Sequence, residues 1–260
     1  MSGLALALAV SGAAPSSAET SPRKPVTLAY RYAPGEVLRQ TTRQMQGFNA
    51  EGRPDLGGQS LTVSRSEARV LETDANGTAI LDETTSYETD DERRDHRRFR
   101  TARTGRILWV DIISGEPSAL QGGALFLEKP VRAGESWSTR MKGWGGGPSY
   151  TIDMTVKLDS IIGTGYDARA MLQLSGRMDA ATVTAMLGSA GIAQGIRGKE
   201  CRVSGEVVFR VEAGKESSSR LDLDCDLEML GDSGPPTPGA LHIAYETIDD
   251  GRSTPANPAP

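Results

Sequence analysis

The stretch RLDLDCDLEML, residues 220 to 230, alternates charged side chains with apolar or thiol ones almost without a break. Successive side chains of a strand point to opposite faces, so this period of two fits a half-buried strand and not a helix. Leu221, Leu223, Cys225, Leu227 and Met229 share one face, and Asp222, Asp224, Asp226 and Glu228 the other. The segment before it has the same character. Cys201, Val203, Val207, Phe209 and Val211 lie on one side, and Arg202, Ser204, Glu206, Arg210 and Glu212 on the opposite one. Folding the two about Ala213-Gly214 sets Cys201 opposite Cys225, Arg202 opposite Asp224, Glu206 opposite Arg220 and Arg210 opposite Glu216. A slip of one residue would turn the apolar faces outward, so the register is strongly specified. Cys201 and Cys225 are the two cysteines of the chain, and their placement predicts a disulfide.

The same periodicity recurs along the chain. Val26, Leu28, Tyr30 and Tyr32 alternate up to Pro34-Gly35, the order of a type II turn, and a second strand is expected from Val37 to about Gln46. Leu61 to Leu71 and Thr78 to Tyr87 flank Asn76-Gly77, among the strongest short-range hairpin signals. An apolar strand is expected over Ile107 to Ile113, and a short one over Ala124 to Leu127. Tyr150 to Leu158 and Ala168 to Ser175 form a further hairpin, with Ile152, Met154, Val156 and Leu158 on one face. Asp179 suits the N-cap of one short helix ending near Gly188. These elements predict a mostly β protein. The expected form is a curved antiparallel meander or open barrel with at most one short helix. Its plan suggests two related halves, 26–128 and 129–230, within a β domain over 26–230. Residues 231–260 read as a Pro/Gly-rich tail with one further strand over 240–248.

Leu4 to Val10 is an unbroken apolar run, and small residues end at Ser16-Ser17-Ala18. That is the layout of a secretory signal peptide over 1–18, too short to span a bilayer as a mature helix. Residues 19–25 follow as a polar lead-in. A mature protein in the periplasm or the medium is expected, an oxidising setting that suits the disulfide. No later segment approaches ~18 consecutive apolar residues, so no transmembrane segment is expected in the mature chain. A net charge of −5 with no concentrated basic face gives no reason to expect nucleic acid.

Motifs that could carry chemistry are weak. The Asp222, Asp224, Asp226 ladder offers carboxylates to a cation, but on a straight strand instead of a curved loop. Gly231-Asp232-Ser233-Gly234-Pro235 is similar to the nucleophile loop of trypsin-like serine proteases, yet lacks its second Gly. His96 and His242, the two histidines, sit in no recognisable triad. No phosphate-binding or dinucleotide glycine loop occurs in strand–helix context. No cofactor, metal site or catalytic residue is therefore assigned. The Arg-rich run from Arg93 to Arg106 reads as a solvated strand face ahead of an anion-binding surface.

Two stretches carry a family resemblance. Leu28-Ala29-Tyr30-Arg31-Tyr32 followed by Pro34-Gly35-Glu36, and Lys129-Pro130-Val131 followed by Gly134-Glu135-Ser136-Trp137, resemble elements of a loose family of uncharacterised exported bacterial β proteins. The resemblance implies a fold and no activity. In architecture the meander is similar to lipoprotein-carrier proteins, whose curved sheet cups an apolar ligand.

The chain is accordingly expected to be a non-catalytic exported envelope protein, a binding or scaffold module for an apolar small molecule or another envelope protein. One alternative is a periplasmic carrier of a lipid or other apolar ligand; another is an enzyme with an unrecognised site. For a carrier, Val26, Leu28, Tyr30, Tyr32, Ile152, Met154, Val156 and Leu158 are the expected ligand face. Mass spectrometry of protein from native cells is expected to find a mature terminus just after Ala18. An intact Met1 on cytoplasmic protein would refute export.

Overall fold

The computed structural model describes residues 24–51, 57–115, 120–121, 125–143, 150–189, 195–230 and 235–251. The signal peptide expected at 1–18 lies outside them. So do Trp144 and the greater part of the Gly231 to Pro235 segment.

Twelve strands, one α-helix and a short 3-10 turn, Gly165–Asp167, make up the fold among the described residues. The strands are β1 (Val37–Ala50), β2 (Gly58–Thr73), β3 (Ala79–Tyr87), β4 (Asp90–Thr101), β5 (Ile107–Ser114), β6 (Leu120–Gln121), β7 (Ser136–Gly143), β8 (Tyr150–Ile162), β9 (Arg169–Met178), β10 (Ile196–Arg210), β11 (Lys215–Met229) and β12 (Thr237–Asp249). Helix α1 (Ala180–Ser189) joins β9 to β10. All strands belong to one open antiparallel sheet, ordered β5-β4-β3-β2-β1-β12-β11-β10-β9-β8-β7-β6.

The order forces curvature. β5 and β6 form opposite edges of the sheet, yet few residues separate Ser114 from Leu120. A chain that short reaches at most roughly 20 Å. Laid flat, twelve strands would part their edges by roughly 50 Å. The sheet therefore rolls, and its apolar face becomes the inner one. It stays open, since no pairing joins β5 to β6 among the described residues.

β12 changes the domain reading. The further strand expected over 240–248 forms as Thr237–Asp249 and belongs to the β domain, lying in the middle of the sheet with β1 on one side and β11 on the other. Such long-range pairing leaves no mark in the local periodicity. Likewise, residues 26–32 alternate as a strand does but do not form one. Val26 makes a lone bridge to Val131, Tyr30 N donates to the Arg103 carbonyl at 2.8 Å, and Arg31 N donates to that of Gly214 at 3.1 Å. The backbone finds loop partners, and the alternation reflects only which side chains point inward. Gly105 permits this approach, because its φ is +86° and a Cβ there would stand 2.8 Å from the Tyr30 ring. The strand expected near Ala124 to Leu127 is also absent over the described part, where Phe126 N is bound by the Thr104 carbonyl.

The late hairpin takes the expected register over most of its length. Cys201 faces Cys225, Arg202 faces Asp224 and Glu206 faces Arg220. The cysteines are joined, with Cα atoms 4.0 Å apart. The third charge pair fails. A bulge at Ser217 shifts the register, so that Phe209 faces Glu216 and Arg210 faces Lys215.

The core is lopsided. The large cluster covers β7 to β12 and is filled by Val183, Met186 and Leu187 of α1 together with Leu28, Phe126 and Val131. Asp179 caps the helix, its carboxylate accepting from Thr182 N at 2.8 Å. Val183 can dock closely because Gly198 of β10 carries no side chain beneath it. A second, smaller cluster consists of Ala68, Val70, Ala79 and Leu81, with Tyr32, Leu38 and Phe99 against it. Leu158 is fully buried in the large cluster. Leu158→Ala is expected to cost about 2–5 kcal/mol by denaturant unfolding, through lost burial plus cavity; a loss under about 1 kcal/mol would contradict a packed core here.

Candidate functional site: the seam between the two cores

The two clusters meet at Tyr30 and Tyr32. Being two apart in an extended segment, both side chains point the same way. Their rings stack with centroids 6.0 Å apart and planes 8° from parallel. Tyr30 belongs to the large core, edge-on to Phe209 at 5.4 Å and tilted against Phe126 at 5.2 Å. Tyr32 packs on the small one. Beside them a cavity of about 140 Å³ remains, walled by Tyr30, Tyr32, Leu38, Ala68, Leu81 and Phe99.

Charged groups close its rim, and nearly all are tied. Lys215 Nζ binds Glu36 at 2.7 Å and lies 5.0 Å over the Tyr32 ring. Arg210 pairs with Asp249, and Arg97 with Glu83. Glu216 differs. The bulge places it opposite inward-facing Phe209, so its carboxyl turns inward with that ring. Its contacts are the Tyr30 hydroxyl, which donates at 3.4 Å, and Ser219. No cation pairs with it among the described residues. Burial holds its carboxyl above the usual glutamate range, and the nearby Asp249 charge adds to this. Burial likewise lowers Lys215, against the pull of Glu36, and raises both tyrosines. Arg210 Nε is a buried donor without an acceptor among the described residues.

The inner face beyond the cavity is polar. On β1 the inward positions Gln40, Thr42, Gln44 and Gln46 continue from Leu38, and on β2 Thr62, Ser64 and Ser66 continue from Ala68. Thr42 and Thr247 hydroxyls meet at 3.1 Å.

The eight expected ligand-face residues divide. Tyr30 and Tyr32 line the cavity. Leu28, Ile152, Met154, Val156 and Leu158 are buried in the large core, and Val26 packs against it, so these six are spent on one another and on α1. Two residues at the site are not legible as such in the sequence: Glu216, expected opposite Arg210, and Phe99, hidden in the Arg-rich run. A Phe amid arginines at an inward position of the run was the available signal. Four arginines of that run are ion-paired: Arg97 to Glu83, Arg98 to Asp82 at 3.2 Å, Arg100 to Asp74 at 3.1 Å and Arg93 to Asp95 at 3.6 Å. On the outer face of β11 and β12, Asp224 binds His242 at 2.8 Å and Asp222 binds Arg220 at 2.8 Å. Among the described residues no three His, Cys, Asp or Glu side chains gather to hold a metal.

No family model matches the chain, and no curated protein matches it. Among solved structures, lipovitellin from work titled "Lipid-protein interactions in lipovitellin" is similar at 11% identity with a TM-score of 0.43. The match covers 88% of this chain but 27% of that one, so the chain spans about a quarter of its length.

The raised Glu216 carboxyl makes a pH prediction. A carboxyl raised on folding stabilises the protein when protonated, and that contribution is lost as pH rises from the ordinary glutamate value through the raised one. The groups around it are Tyr30, Tyr32, Glu36, Glu83, Arg97, Arg210, Lys215 and Asp249. Glu216→Gln is expected to flatten this pH dependence and to raise the thermal midpoint at pH 8 relative to the parent. An unchanged midpoint at both pH 5 and pH 8 would show that Glu216 titrates as an exposed group.

Proposed function

We propose that this protein is an exported, non-catalytic binding protein that takes one small ligand in the seam cavity. One observation carries the reading: two packed cores leave an aromatic-walled space between them, rimmed by charges that are mostly bound to each other. Ion-paired rim groups fix orientation and selectivity, whereas chemistry on a substrate asks for a group poised to exchange a proton or attack. Size narrows the ligand. A cavity of about 140 Å³ is close to the roughly 150 Å³ engineered cavity that holds benzene, and below the ~300 Å³ usual for drug-sized ligands. It suits a ring or a short branched chain. The Ser, Thr and Gln lining that follows on β1 and β2 disfavours the alternative of a carrier for long acyl chains, which would leave those groups unsatisfied. The disulfide supports export.

A second reading, a scaffold that docks another envelope protein, is favoured by edge strand β5, where Leu108, Trp109, Ile112 and Ile113 are exposed.

Chemical-shift mapping with a library of small ring-bearing molecules tests the binding reading. Perturbations are expected to cluster on Tyr30, Tyr32, Leu38 and Phe99, and to vanish in Ala68→Met, which fills the cavity. Shifts confined to the outer face, or none at all, would refute it.

A further inference from the structure

We infer that the ligand is an organic ammonium ion, its apolar ring against Tyr30, Tyr32 and Phe99 and its cationic head on Glu216. The inference rests on the binding reading and gives that same site its charge preference.

The charge count around the cavity is unbalanced. Glu36, Glu83 and Asp249 each hold a cation, namely Lys215, Arg97 and Arg210. Glu216 is the fourth carboxyl and has hydroxyl contacts alone among the described residues. A carboxylate taken from water with no cation beside it is costly, and a ligand cation removes that cost where a neutral ligand cannot. An anionic ligand would set a further negative charge beside Glu216 and Asp249. The walls point the same way. Aromatic faces attract cations within about 6 Å, and Tyr32 already holds the Lys215 ammonium on its ring at 5.0 Å. A ring linked by one carbon to an ammonium group matches the cavity of about 140 Å³ with the charge left at the rim. Arg210 lines the same cavity, and its buried Nε would be satisfied by a hydroxyl or carbonyl oxygen on the ligand.

Isothermal titration of the full chain at pH 8 and constant ionic strength, with benzylammonium chloride, benzyl alcohol and sodium benzoate, decides the matter. Benzylammonium is expected to bind on the order of tenfold or more tightly than benzyl alcohol, and benzoate more weakly than either. Glu216→Gln should bring benzylammonium down to the affinity of the alcohol, while Ala68→Met should weaken both. The probe series on the parent protein needs no variant to fold. Equal affinity for benzylammonium and benzyl alcohol, or benzylammonium binding unchanged in Glu216→Gln, would overturn the ammonium inference and leave the cavity reading standing, whereas binding of both ligands unchanged in Ala68→Met would overturn both readings. Binding of none of the three probes would overturn both.

Discussion

Everything in this structure depends on β12. The first five strands and strands β6 to β11 are two meanders that share no hydrogen-bonded strand pair among the described residues; β12 pairs with β1 along one side and with β11 along the other. Leu241 and Ile243 on its inner face enter the large core, and Asp249 at its end anchors Arg210 at the rim of the cavity. The seam where the two cores fail to merge thus runs beside the strand that joins them. Its location is a product of topology: a rolled sheet filled by one helix and two loop segments on the β7 to β12 side has too little apolar mass left to fill the β1 to β5 side.

The electrostatics of the seam follow from one backbone irregularity. Without the bulge at Ser217, Arg210 and Glu216 would face each other across an exposed strand pair, a contact worth about 0.2–1 kcal/mol. With it, Arg210 is handed to Asp249, and Glu216 is turned toward Tyr30. A surface pair becomes a half-buried pair plus one carboxyl with no cation among the described residues. Bulges next to functional sites commonly re-aim a side chain in this manner.

Much of the fold was legible in the sequence where local rules governed it. The alternation in β8 and β11, the Asn76-Gly77 turn and the Asp179 cap each set structure within a few residues, and each is found. Two of three charge pairs and the cysteine pairing came from register alone. Legibility ended where pairing was non-local. Residues 26–32 alternate as β11 does, and only the absence of a neighbouring strand distinguishes them. The role of β12 was hidden for the same reason. At the site, Tyr30 and Tyr32 could be read as inward-facing, but Glu216 could not, because the bulge that turns it inward lies at a Ser-rich stretch, Ser217 to Ser219, that favours no one geometry. The hollow itself is a difference between filled and available volume, which no periodicity records.

The central place of β12 also orders events in time. The buried apolar cluster that strands β1 to β5 form among themselves has four residues, Ala68, Val70, Ala79 and Leu81, too small a core to stand alone. Their partner strand is made last among the strands described, roughly two hundred residues after β1. Until β12 emerges, β1 presents an unpaired edge and the two meanders have nothing to register against. The β1 to β5 half therefore completes its pairing only once the entropy of closing a very long loop has been met. Its vulnerable interval lies in synthesis and folding, when long unpaired edges invite association with other chains.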